Sequence, residues 1–156
     1  MAQLKDILDN INNKNFDQAL KLCDLCEDNN NKHIIYNLRG VINLMQNNLE
    51  SAEINFLNSI KIDQKFIDPI KNLYILYLKK QKFSELLTYA KKLIEIDKLN
   101  DTFNYQLGYA FELNNLFNQA IEYYEKCINL NGKDKKKAFN NIGSIYLKKN
   151  KPEKSK

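Results

Sequence analysis

Apolar residues recur every three or four positions along this chain, and short polar breaks interrupt them at regular intervals. Leu73, Leu76 and Tyr77 form one such stripe, and Phe117, Ala120, Ile121 and Tyr124 form another. That spacing places the apolar side chains on one face of a helix. Alternation with period two is sustained nowhere, so no sheet is expected. Asn and Lys pairs supply most of the breaks, because the chain holds only four glycines and two prolines. They bound nine predicted helices, near 2–12, 16–28, 33–46, 50–62, 67–80, 83–96, 101–114, 117–130 and 135–149. Links this short make consecutive helices antiparallel neighbours. Asp68-Pro69 and Asn100-Asp101 give start signals for the fifth and seventh helices. Gly132, just past the eighth, is where a left-handed cap is expected.

A longer period lies over the helical one. Ala19, Ala52, Leu86 and Ala120 stand 33, 34 and 34 residues apart, and Gly40, Gly108 and Gly143 stand 68 and 35 apart. A near-constant interval of this length means one helix pair stacked on copies of itself. One such pair cannot bury its apolar face alone, so the array is the folding unit and offers an extended surface rather than a closed pocket.

Aligned by that period, first helices carry Arg39-Gly40-x-x-Asn43, Leu73-Tyr74-x-x-Tyr77, Leu107-Gly108-x-x-Phe111 and Ile142-Gly143-x-x-Tyr146. Second helices carry Ala19-x-x-x-Cys23, Ala52-x-x-x-Phe56, Leu86-x-x-x-Ala90 and Ala120-x-x-x-Tyr124. The set resembles the tetratricopeptide repeat, whose helix pairs cross at small residues with aromatics beside them. The resemblance implies an all-α, right-handed superhelical solenoid of antiparallel helix pairs. It divides the chain into repeats near 1–32, 33–66, 67–100 and 101–134, with a truncated fifth at 135–156, as a single array over 1–156. The third repeat departs from the pattern. It has Tyr74 and Leu86 at the crossing and Ala90 where an aromatic is usual, a volume exchange that predicts a wider helix pair there.

Composition narrows the function classes. No apolar run approaches the roughly 20 residues that span a bilayer, and the first residues lack the pattern of a secretory signal, so a cytoplasmic location without membrane contact is expected. The net charge of +5 is uneven: residues 131–156 hold nine lysines against Asp134 and Glu153. That end contains no arginine, which disfavours nucleic acid as a partner, and a solvated face is the expected reading. Cys23-Asp24-Leu25-Cys26 has C-x-x-C spacing, but the repeat register places both thiols on the inner face of a second helix as small apolar groups. The single histidine, His33, stands at a helix start, with a cap or surface role expected. No phosphate loop, nucleophile elbow or paired carboxylates occur, so no enzyme activity, metal, cofactor or small-molecule substrate is expected.

The resemblance points to first helices as the lining of a concave groove. Its ligand-facing positions correspond to Asn37, Leu38 and Val41, to Lys71, Asn72 and Ile75, to Tyr105, Gln106 and Tyr109, and to Asn140, Asn141 and Ser144. Asn72, Gln106 and Asn141 make a row of amides, each able to donate and accept along an extended peptide backbone, and Tyr105 and Tyr109 add apolar area with polar tips. This row resembles the asparagine ladder in the repeat arm of O-linked N-acetylglucosamine transferases. The Lys/Asn/Arg clamp of repeats that hold chaperone C-termini is missing, because its places fall on Asn37, Val41, Asn72, Thr102 and Gln106. The expected function is a non-catalytic scaffold for a protein or peptide segment. The alternative is the substrate-recognition arm of a larger enzyme of glycosyltransferase or sulfotransferase type. Residues 150–156 look like the opening of a further second helix, from which we expect a longer protein and self-association through the uncapped last helix.

Overall fold

The computed structural model describes residues 2–28 and 30–150. The proposed opening of a further helix over 151–156 lies outside the described residues. Among them are nine helices and no strand: α1 (Ala2–Asn12), α2 (Phe16–Cys26), α3 (Lys32–Met45), α4 (Leu49–Ile62), α5 (Ile67–Lys79), α6 (Phe83–Ile96), α7 (Asp101–Leu113), α8 (Phe117–Leu130) and α9 (Lys135–Lys149). The fold is the all-α array of helix hairpins that the periodicity predicts. The chain forms two compact units, one up to Gln81 and one from Lys82 onward. The boundary falls inside the third predicted repeat, the one with Tyr74 and Leu86 at its crossing positions.

The turn inside each helix pair is the same structure repeated. Lys14, Asn47, Gln81 and Asn115 all adopt the left-handed conformation, with φ of 60, 61, 56 and 60°. They lie 33, 34 and 34 residues apart, so the backbone carries the repeat period independently of the small residues. In three of these turns the next amide closes a six-residue ring, as Asn15 N to Asn10 O (2.8 Å), Asn48 N to Asn43 O (2.8 Å) and Leu116 N to Phe111 O (2.9 Å). This satisfies carbonyls that a helix C-terminus otherwise leaves open. The cap predicted at Gly132 is instead carried by Asn131, with φ 57°. Gly132 is needed for another reason: a Cβ there would run into the Asp101 carboxylate, which accepts the Asp134 N–H. Asn100 caps α7 as expected, its side-chain oxygen accepting the Phe103 N–H at 3.1 Å.

In the first unit, Ile7 and Ile11 of α1, Ala19, Cys23 and Cys26 of α2, and Ile35, Leu38 and Ile42 of α3 form one buried cluster. The two thiols sit inside it as the register predicts, and burial pushes Cys23 up to about 11. Beyond it, α4 seats Phe56 against Gly40: a Cβ on Gly40 would stand 2.5 Å from the ring. In the second unit α8 seats Tyr124 against Gly108 in the same way, with Cβ to ring at 2.8 Å. The glycine at each crossing thus makes room for the aromatic one turn beyond the small residue of the second helix.

Candidate functional site

The positions expected to face a ligand fall into two groups, one in each unit. In the first, Asn37, Lys71 and Asn72 border a cavity of about 370 Å³ together with Leu38 and Val41, as the register predicts. Leu8, Ile11, Asn12, Met45 and Asp68 complete it and were not anticipated. Its lining comes from first helices alone, α1, α3 and α5. Leu8, Val41 and Ile75 occupy the same register position, 33 and 34 residues apart, so carrying the period back into the first repeat would have found Leu8. Leu8, Met45 and Ile75 are each about half-exposed, although a large apolar side chain gains roughly 1.5–3 kcal/mol from full burial.

The amides along this wall are engaged within the protein. Asn72 Nδ2 donates to Asn37 Oδ1 at 2.9 Å, and Asn37 is buried at 6% exposure. The pair joins first helices of consecutive repeats and fixes the wall of the cavity. At one end Lys71 lies 3.8 Å from Asp68, a partly solvated ion pair of little energetic weight.

The second unit holds Tyr105, Gln106, Tyr109, Asn140 and Asn141. Tyr105 and Tyr109 are stacked with ring centroids 6.3 Å apart, and Asn141 Nδ2 donates to Tyr124 Oη at 2.9 Å and Tyr105 Oη at 3.4 Å. Tyr124 Oη in turn donates to Glu112 Oε2 at 2.8 Å, and Lys148 Nζ donates to Glu112 Oε1 at 2.9 Å. Burial, the largest cause, holds the Tyr124 phenol above its ordinary range, so it remains a donor. Asn140 is exposed, and Gln106 and Tyr109 are half-buried. No group of three potential metal ligands occurs among the described residues, and none of their helices is long and apolar enough to cross a membrane.

Residues 102–134, which comprise most of α7 and all of α8, match the profile of the tetratricopeptide repeat. Solved structures agree over much more of the chain. The MamA RS-1 ArsTM double mutant superposes with a TM-score of 0.81 at 14% identity, covering 96% of this chain and 84% of its own. MamA 41-end from Desulfovibrio magneticus RS-1 gives 0.81 at 14%, covering 95% and 84%. A MamA crystal structure gives 0.72 at 19%, covering 87% and 78%. This is a tetratricopeptide-repeat fold. No curated protein matches the chain.

The matched tetratricopeptide repeat closes on a buried carboxylate that sequence reading did not single out. Asp134 Oδ2 accepts from Thr102 Oγ1 at 2.8 Å and Oδ1 from Lys137 Nζ at 2.7 Å. Burial alone would raise its pKa, but Lys137 and Thr102 outweigh it and hold the carboxyl below its ordinary value. A carboxylate depressed in the fold contributes stability that is present above the ordinary carboxylate pKa and lost as pH falls through the folded value. Melting temperature should therefore drop over roughly pH 5 to 2 more steeply in the native chain than in Asp134→Asn. Parallel pH profiles for the two would contradict this.

Proposed function

We propose that the chain is a non-catalytic scaffold that holds an extended protein segment in the apolar groove of α1, α3 and α5. The observation that supports it most strongly is the row Leu8, Val41 and Ile75. It presents partly exposed apolar side chains at equivalent places on three successive first helices, around a preformed cavity. Folding leaves these side chains in partial contact with water, and a ligand's apolar side chains would complete their burial. Stacked helix pairs offer such lengthwise surfaces by construction. The amides play a different part from the row of free donors and acceptors that the sequence suggests. Asn37 and Asn72 spend hydrogen bonds on each other and hold the wall, so specificity rests on the apolar row and the Asp68–Lys71 rim.

The test follows from that division. Peptides are selected from a random library on the native chain, and their affinities are measured by fluorescence anisotropy. Val41→Asp combined with Met45→Glu places two charges on side chains that are already partly solvated, so the fold should survive. The selected peptides should bind this variant at least about tenfold more weakly, a difference of about 1.4 kcal/mol. Unchanged affinity would remove the groove as the binding site. Asn72→Ala is the poorer probe, because it leaves the buried Asn37 carbonyl without its partner and costs stability as well.

A further inference from the structure

The helix α9 stands in the register of a first helix, yet its crossing face is open. The comparison with α7 is direct, because Asn104, Leu107, Gly108 and Phe111 are the register equivalents of Phe139, Ile142, Gly143 and Tyr146. In α7 these positions are closed: Asn104 and Leu107 are 1% exposed and Phe111 8%. In α9, Phe139 is 54% and Tyr146 51% exposed, and Leu147, one residue on, is 69% exposed. A Cβ on Gly108 would meet the Tyr124 ring and the Ala120 carbonyl, and one on Gly40 would meet Phe56. Among the described residues nothing lies within 4 Å of the same point on Gly143. The notch that an aromatic fills twice elsewhere in the chain is empty here.

The molecule itself shows what fits. The helices that close Gly40 and Gly108 carry a small residue, an aromatic four positions later and a small residue three beyond that: Ala52, Phe56 and Ser59 on α4, and Ala120, Tyr124 and Cys127 on α8. Charge supplies a second criterion. Both helices are net acidic by one charge, with Glu50 and Glu53 against Lys61, and Glu122 and Glu125 against Lys126. The α9 region carries Lys133, Lys135, Lys136 and Lys137 at one end and Lys148 and Lys149 at the other, against Asp134 alone. We infer that the open face of α9 is a docking site for one acidic amphipathic helix of another polypeptide, bearing this small–aromatic–small signature. Its aromatic side chain enters the Gly143 notch, its apolar stripe covers Phe139, Ile142 and Tyr146, and its carboxylates meet the lysines. This surface is separate from the α1, α3 and α5 groove.

The probes are two synthetic peptides, one with the sequence of residues 116–131 carrying Cys127→Ser, the other with residues 48–63. Each is labelled and titrated onto the full chain. Both should bind saturably and more weakly as salt rises. Gly143→Leu, which fills the notch with a side chain, should weaken both at least about tenfold, as should Tyr124→Ala within the first peptide. The melting temperature of Gly143→Leu should be no lower than native, which separates a blocked site from a damaged fold. Failure of both peptides to bind, or equal affinity for the native and Gly143→Leu chains, would overturn the inference. So would sedimentation showing native dimers that Gly143→Leu dissolves, since the face would then belong to a second copy of this chain.

Discussion

Tyr124→Ala is expected to destabilise the second unit by about 3–5 kcal/mol, the range for deleting a large buried aromatic. The ring is fully buried, fills the space left by Gly108 and lies 5.6 Å from the Tyr105 ring centroid. Its removal opens a cavity that no neighbour is free to fill. Tyr124→Phe separates the ring from the hydroxyl and should cost only about 1 kcal/mol. Glu112 keeps Lys148 at 2.9 Å, and Asn141 keeps Tyr105 at 3.4 Å, so neither partner is left without a bond. Chemical denaturation followed by circular dichroism measures both. Equal losses for the two variants would mean that the hydroxyl network, rather than the packing, holds this hairpin.

The second large effect is a change of sign between two glycines. Gly40→Leu must place its Cβ where the Phe56 ring stands, 2.5–2.6 Å from two ring atoms, and Phe56 is itself fully buried. Overpacking of this kind costs about 3 kcal/mol, against about 1 kcal/mol gained when a helical glycine is replaced by a good helix former. A net loss of about 2 kcal/mol follows. At Gly143 the same substitution meets open space, so only the propensity gain remains and stability should rise by up to about 1 kcal/mol. A loss at both sites, or at neither, would contradict the packing role assigned to the crossing glycines.

Much of the fold was legible because it depends on local spacing. Helix starts and stops follow the apolar stripe and the polar breaks closely; α2, predicted to 28, ends at Cys26. Cys23, Phe56, Ala120 and Tyr124 are buried where the register puts them, because a position facing inward in one repeat faces inward in its copies. What remained hidden depends on which atoms meet across helices. That Asn37 and Asn72 spend hydrogen bonds on each other, and Asn141 on two tyrosines, is invisible in a row of amides. Gly132 reads as a left-handed cap until the Asp101 carboxylate beside it shows that its missing side chain, not its backbone freedom, is what matters. The left-handed turns escaped notice because Lys14 and Gln81 bear no mark of a conformation that asparagine and glycine favour. Leu8 belongs to the groove by the same period that identified Val41, and only the first repeat's weaker motif concealed it.

One spectrum tests the repeated packing most directly. In a nuclear Overhauser experiment on the dilute native chain, the Hα protons of Gly40 and Gly108 should show cross-peaks to the rings of Phe56 and Tyr124, with upfield ring-current shifts. Those of Gly143 should show no aromatic cross-peak and an ordinary helical shift. Absence of the ring contacts at Gly40 and Gly108, or their presence at all three glycines, would contradict the account.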